Sequence, residues 1–261
     1  MNDTLMYALV GVGTFLLATK RGGSGGASGG LKANTGSGGS DTTEALRNKL
    51  VQVASAEEAL KVREATYNSD TGYRIDEYQK LYGMRGSLWC AAFVGWCITS
   101  ALGRTRPPRW CGASTSGFMA AARDAYRKGL LPAEYVAFGR EPATLSRIKP
   151  GWVWVTGSTA NGSDPLEAPA GGWNGGHTGI VINPISAKAG HFQTVEGNTC
   201  VGSNCNGGGV FFAQRPYVRP ATDKRVNVIW FDPMALTAVL EAAKAKADAE
   251  KAAKAAARAN S

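Results

Sequence analysis

Residues 22–40 contain nine glycines and four serines in nineteen positions, a composition with little apolar surface to bury. This stretch divides the chain, because a segment before it reaches a segment after it only across a loose tether of about 25 Å. Ahead of the tether lies an uncharged run, Leu5 to Ala18, followed by Lys20 and Arg21. As a helix, Thr4 to Thr19 would span about 24 Å at ~1.5 Å per residue. That is slightly less than a ~30 Å hydrocarbon core, a gap that Lys20 closes by snorkelling. A cleaved signal peptide fits less well, because Asp3 precedes the run, no cation does, and Lys20-Arg21 stand where small residues belong. The expected organisation is therefore an uncleaved anchor at 1–21 meeting lipid through residues 5–19, a linker at 22–40, and a folded domain beyond. No other apolar run approaches spanning length, which excludes a multi-span protein, and the glycines lack the three-residue period of collagen.

Beyond the linker the hydrophobic pattern changes once, at Pro150. Before it, Leu46, Leu50, Val53, Ala54 and Leu60 recur at three- and four-residue steps, predicting a helix within 41–66 opened by a capping-box-like Asp41-Thr-Thr-Glu44. Further helices are expected at 75–81, at 89–102 ended by Gly103, and at 114–128 ended by Gly129. After Pro150 the period becomes two, with strands expected at 152–156, 177–183, 191–196, 209–214 and 226–231. Helices first and an antiparallel sheet second make an α+β domain over 41–232. Residues 233–261 form an Ala- and Lys-rich helix whose apolar residues cluster only at Met234, Leu236, Val239 and Leu240.

Nucleophilic cysteine chemistry needs a thiolate, a base to exchange its proton with, and a polar group to orient the base. Cys90 stands in the first turn of the helix at 89–102, where the positive end of the macrodipole favours a thiolate. Ala91 and Ala92 beside it leave room for a substrate. A buried, inert thiol is the plainer reading of any one cysteine, and it suits the mid-helix Cys97 better. With two histidines in the chain, the base is nearly forced. His177 opens a strand after two glycines and shares a face with Gly179 and Val181, whereas His191 merely follows a turn. Glu196 and Asn198 lie two apart, so in a continuing strand both would face the same way. Each residue alone is structural more often than catalytic.

The motifs Trp89-Cys90-Ala-Ala-Phe-Val94 with Trp96-Cys97, Gly176-His177-Thr-Gly-Ile-Val181 and Val195-Glu196-Gly-Asn198-Thr199 together resemble the CHAP family. These are papain-like peptidoglycan amidases and endopeptidases related to the NlpC/P60 enzymes and frequent in phage lytic proteins. The resemblance covers about residues 70–215. It implies a papain-like cysteine hydrolase domain with Cys90 as nucleophile, His177 as general base, Glu196 orienting the imidazole and Asn198 as a second polar member. The backbone N–H of Cys90 would then help to hold the oxyanion. One departure is Pro150-Gly151-Trp152, where such domains often carry Gly-Asp before the first core strand.

Of the five cysteines, Cys200 with Cys205 and Cys97 with Cys111 are disulfide candidates, leaving Cys90 as the odd thiol. Trp89 and Trp173 are expected at the cleft rim, against substrate. A zinc site lacks ligand spacing, and a two-carboxylate glycosidase lacks an identifiable partner for Glu196. No metal, cofactor or nucleic-acid partner is expected. The net charge of +9 and the tryptophans also suit a non-catalytic wall-binding module. The expected function is a membrane-anchored peptidoglycan hydrolase, on a phage virion among other virion proteins. A bacterial inner-membrane enzyme facing the periplasm is the alternative, against which Lys20-Arg21 argue through the positive-inside tendency.

Overall fold

The switch in periodicity at Pro150 is also the point at which a helical layer gives way to most of the sheet. The computed structural model describes residues 38–66, 68–139, 146–158, 174–186, 191–199, 207–216 and 227–259. Five α-helices lie among them: α1 (Gly38–Ala59), α2 (Tyr73–Lys80), α3 (Cys90–Ala101), α4 (Thr115–Arg127) and α5 (Pro233–Ala259). The strands are β1 (Val136–Phe138), β2 (Val153–Ser158), β3 (Asn174–Ser186), β4 (His191–Thr199), β5 (Gly209–Pro216) and β6 (Asn227–Phe231). They form one antiparallel sheet in the order β1-β6-β2-β3-β4-β5. The chain is thus α+β, as the pattern predicts.

Alternation along the strands sorts their side chains onto two faces. Val153, Val155, Ile180, Val195, Ile229 and Phe231 join the helices in the larger core. Their neighbours Trp152, Trp154, Val181, Val228 and Trp230 enter a second cluster with Phe192 and Ile148. Helix α3 packs into the first core through Ala91 to Val94, Cys97, Ile98 and Ala101, and Cys90, Gly95 and Thr99 are buried as well. A helix apolar on every side has to be central, and its first residue is thereby fixed in depth.

Several boundaries differ from the sequence reading. Helix α1 begins at Gly38, inside the expected linker, because a nucleated helix extends through adjoining residues more easily than it starts. It stops at Ala59, after which Lys61 takes a positive φ of 54° and Arg63 bridges to Gly209. Strand β1 has no counterpart among the expected strands, since three residues are too few to show a period. In α5 burial ends near Thr237, and the helix is exposed from Glu241 onward apart from Ala243. The expected anchor at 1–21 lies outside the described residues, as does the linker at 22–40 up to residue 37. Among the described residues no helix is long and apolar enough to cross a membrane.

A buried ion pair joins the first helix to the last. Arg47 of α1 donates from Nη1 to Asp232 Oδ2 at 2.5 Å, with both side chains almost fully buried. The other oxygen of Asp232 caps α5, accepting from the N–H groups of Met234 at 2.9 Å and Ala235 at 3.1 Å. Burial pushes the Asp232 carboxyl up, against Arg47 and the capping bonds. Removing one partner of such a pair strands the other charge. Arg47→Ala should therefore lower the unfolding free energy by about 3–5 kcal/mol in denaturant titration. The loss should shrink at acidic pH, where Asp232 becomes neutral.

Candidate active site

Cys90 is the first residue of α3, preceded by Trp89 as N-cap. Its side chain is mostly buried, at 8% exposure, and it lies within interaction range of His177 on β3. His177 Nε2 meets Glu196 Oε2 of β4 at 2.8 Å, which leaves Nδ1 as the ring nitrogen free to face the thiol. The imidazole is partly exposed and the carboxylate fully buried. Cysteine, base and carboxylate thus converge from a helix terminus and two adjacent strands.

The register explains how Glu196 reaches His177. Ile180 pairs with Val195 and Val181 with Thr194, and continuing this ladder sets Gly179 opposite Glu196. His177 and Gly179 share a face of β3. A Cβ at Gly179 would fall 2.6 Å from Glu196 Cγ and 2.8 Å from Trp154 Nε1. The absent side chain is the space through which the carboxylate crosses to the imidazole. Trp154, paired with Gly179 across β2, packs against His177 at 5.8 Å between ring centres, nearly edge-on.

Arg215, on β5, is a member of this cluster that sequence reasoning missed. Its Nε donates to Glu196 Oε1 at 2.8 Å, its Nη2 donates to Oε2, and its guanidinium lies 5.7 Å from the Trp154 ring centre. Thr194 adds a hydroxyl donated to Glu196 Oε1 at 2.5 Å. Thr194 and Ala213 are directly paired, and the short Ala213 lets Arg215 reach along β5 toward the carboxylate. A signal existed in the sequence: a buried Glu demands a cation. Nothing in linear spacing, however, singled out Arg215 among the arginines.

The charges follow from this arrangement. Burial opposes ionisation of Glu196, yet the bonds from Arg215 and the charge of His177 hold its pKa down at about 2. Burial also opposes the imidazolium, but Glu196 and the interaction with Cys90 raise His177 to about 9.

Asn198 takes another course. Glu196 pairs with Phe211 but Thr199 with Gly209, so β4 carries one extra residue, and Asn198 sits in it with φ 53°. The bulge ends the alternation that would have aligned Asn198 with Glu196. Its side chain instead bonds the Asp70 carboxylate, while its Oδ1 is buried without a partner. Among the hydrogen bonds of the described residues, none joins it to His177.

Trp89 is not at a rim. It is fully buried, tilted against Tyr78 with 5.9 Å between ring centres, and donates from Nε1 to Glu64 Oε1 at 3.2 Å. Trp173, Cys200 and Cys205 lie outside the described residues. Cys97 and Cys111 are free and buried rather than bridged. Cys111 Sγ faces Gly95 and the Tyr82 hydroxyl at 3.5 Å, whereas Cys97 is two residues along α3, about 200° around it. Burial raises both thiols, Cys111 to about 12. Among the described residues no group of three or more His, Cys, Asp or Glu is arranged to hold a metal.

Set against known proteins, the chain matches no family model, no curated protein and no solved structure, so the reading of the site rests on its own geometry and motifs.

The pKa shifts define a stability window. His177, raised from 6.5 to about 9, contributes stability that is complete below pH 6.5 and lost as pH rises through about 9. Glu196, lowered from 4.5 to about 2, contributes stability that is complete above pH 4.5 and lost as pH falls through about 2. The stability advantage of the wild type over a His177→Gln, Glu196→Gln double variant should therefore be greatest between pH 4.5 and 6.5 and fall toward pH 9. Denaturant titrations across this range measure it; an advantage growing from pH 6.5 to 9 would contradict the assignment.

Proposed function

We propose that the chain is a cysteine hydrolase that cleaves amide bonds in peptidoglycan, as an amidase or an endopeptidase. The observation that carries this reading is the buried Glu196 fixing His177 through Nε2 beside a cysteine at a helix N-terminus. A thiol, an imidazole and an orienting carboxylate are the three parts that covalent acyl transfer needs. The peptidoglycan substrate and a papain-like classification of the domain rest on the resemblance of the three motifs to the CHAP family. In that reading Asn198 supports the loop around Asp70 rather than the imidazole.

The reaction proceeds in two halves. An imidazole raised to about 9 keeps both protons near neutral pH, the state that pairs with a thiolate. The Cys90 sulfur attacks the amide carbonyl carbon, forming the C–S bond. The developing oxyanion is met by the Cys90 N–H, which as a first-turn amide has no intrahelical acceptor. His177 gives its Nδ1 proton to the leaving amine as the C–N bond breaks. Water, deprotonated by the same nitrogen, then attacks the thioester; the C–S bond breaks, releasing the carboxylic acid and restoring the thiolate beside the doubly protonated imidazole. Glu196 keeps the ring oriented in both halves and stabilises its charged form, and no cofactor enters any step. The further reading is a domain displayed from a membrane by residues 1–21, on a phage virion that opens the wall during entry.

The test incubates the full chain with purified sacculi and analyses the released fragments by mass spectrometry. Cys90→Ala should abolish release and Glu196→Gln should slow it by about 100-fold or more; the new termini name the bond. Equal release by wild type and Cys90→Ala would end the thiol mechanism. Retained binding with no release from the wild type would favour a wall-binding module.

Arg215 acts through Glu196, and its removal should have a signature of its own. Arg215→Met should lower kcat and move the acid limb of the pH–rate profile upward, because Glu196 loses the cation that holds its pKa down. An unchanged acid limb would reduce Arg215 to a purely structural role.

A further inference from the structure

The loop between α3 and α4 and the exposed start of the α5 extension enclose a cleft of about 830 Å³ that contains none of the residues of the candidate active site. Four cations line it, Arg104, Arg106, Arg109 and Lys244, against one carboxylate, Glu241. Arg104 is engaged with Glu241, Nη2 donating to Oε2 at 3.0 Å, and Lys244 is paired with Asp248. Arg106 and Arg109 are exposed and enter no ion pair among the described residues. The sequence deepens the imbalance: from Tyr78 to Arg123 there is no Asp or Glu at all.

The cleft is built rather than incidental. Gly103 ends α3 with a φ of 66°, and the Arg104 N–H returns to the Thr99 carbonyl at 3.0 Å. Pro107 and Pro108 stiffen the centre of the loop, and Trp110 closes it by donating from Nε1 to Thr237 Oγ1 of α5 at 3.0 Å. Two arginines left unpaired on a stiff loop form a preorganised receptor for oxyanions, since guanidinium groups match phosphate oxygens in pairs. Its volume exceeds what one such anion fills, and its cations are spread along loop and helix, which suits repeated charges on one chain.

Two observations select among polyanions. Trp110, the one aromatic side chain in the lining, is packed against Phe118 at 5.7 Å and Phe231 at 5.6 Å, so the cleft lacks the succession of stacking rings that single-stranded nucleic acid uses. The exposed large apolar residues, Leu60, Tyr73, Leu88 and Phe212, all lie outside the lining, so nothing there is poised to enter a bilayer. We propose that this cleft binds the phosphodiester backbone of a polyol-phosphate polymer, with Arg106 and Arg109 as the principal contacts. This ligand carries no amide, so the proposal stands or falls independently of the hydrolase reading.

The experiment titrates the full chain in detergent at physiological salt with fluorescently labelled poly(glycerol phosphate). Wild-type binding should weaken roughly tenfold or more in an Arg106→Glu, Arg109→Glu variant. A Lys251→Glu, Lys254→Glu variant makes the same change of charge on the exposed end of α5, away from the cleft, and should weaken binding less than about threefold. Thermal unfolding of both variants should match the wild type, and an Arg106→Gln, Arg109→Gln variant replaces the first if its fold is disturbed. No binding by the wild type would overturn the proposal, as would equal weakening by both reversals, the mark of general charge attraction. So would arginine-dependent binding that is tighter to a poly-dT oligonucleotide, or to phosphatidylglycerol vesicles, than to the polymer.

Discussion

A carboxylate with no exposure to solvent, Glu196, is the constraint around which the sheet is organised. An ion of this size in an apolar interior is tolerable only when each of its oxygens is matched. Here the matches come from three strands: His177 from β3, Thr194 from β4 itself and Arg215 from β5. A slip of one residue in either ladder would turn one of these side chains to the other face. The same bonds that make burial tolerable therefore also pin the register, and the register is what sets the imidazole against the thiol.

The helical layer is fastened by the same means. Arg47 and Asp232 tie α1 to the start of α5. Glu57 of α1 accepts from Arg74 and from the Tyr78 hydroxyl of α2, while Arg74 lies over Trp96 of α3 at 4.5 Å. Each charged group reaches across to a different element. Apolar packing alone would permit several arrangements of helices over a flat apolar face; these bonds are satisfied in one. Helix α3, held between them and the sheet, presents its first turn at a fixed point beside β3. The candidate nucleophile consequently stands on the helical layer and its base on the sheet, and the core that the two layers share fixes the approach of one to the other.

Much of this is legible in the sequence. The change from a helical to a strand period located the two layers, the positions of α2, α3 and α4 followed from apolar spacing, and the ends of α3 and α4 from the glycines that follow them. Cys90, His177 and Glu196 were each ambiguous alone, and only their joint motifs raised them together. The readings that differed have a common cause. Trp89 was expected at a rim and is in the core, Asn198 was expected beside Glu196 and turns toward Asp70, and Cys97 and Cys111, candidates for a disulfide, are both free. Each depended on the direction in which a side chain leaves the backbone, and a bulge or a helical rotation changes that direction without altering spacing.

What the sequence by itself determined is what local physics can enforce. The α+β class follows from hydrophobic periods, the ends of α3 and α4 from glycines free to adopt positive φ, and the placement of Cys90 in a first turn from the apolar run behind it. The tertiary structure decided which strands lie side by side, and with that the partner of every buried charge. Arg215 joined the site because β5 is the neighbour of β4, and Gly179 became the passage for Glu196 because the β3–β4 register put it there. Pairing between strands is a contact between residues distant in sequence, and no periodicity within a strand encodes its neighbour.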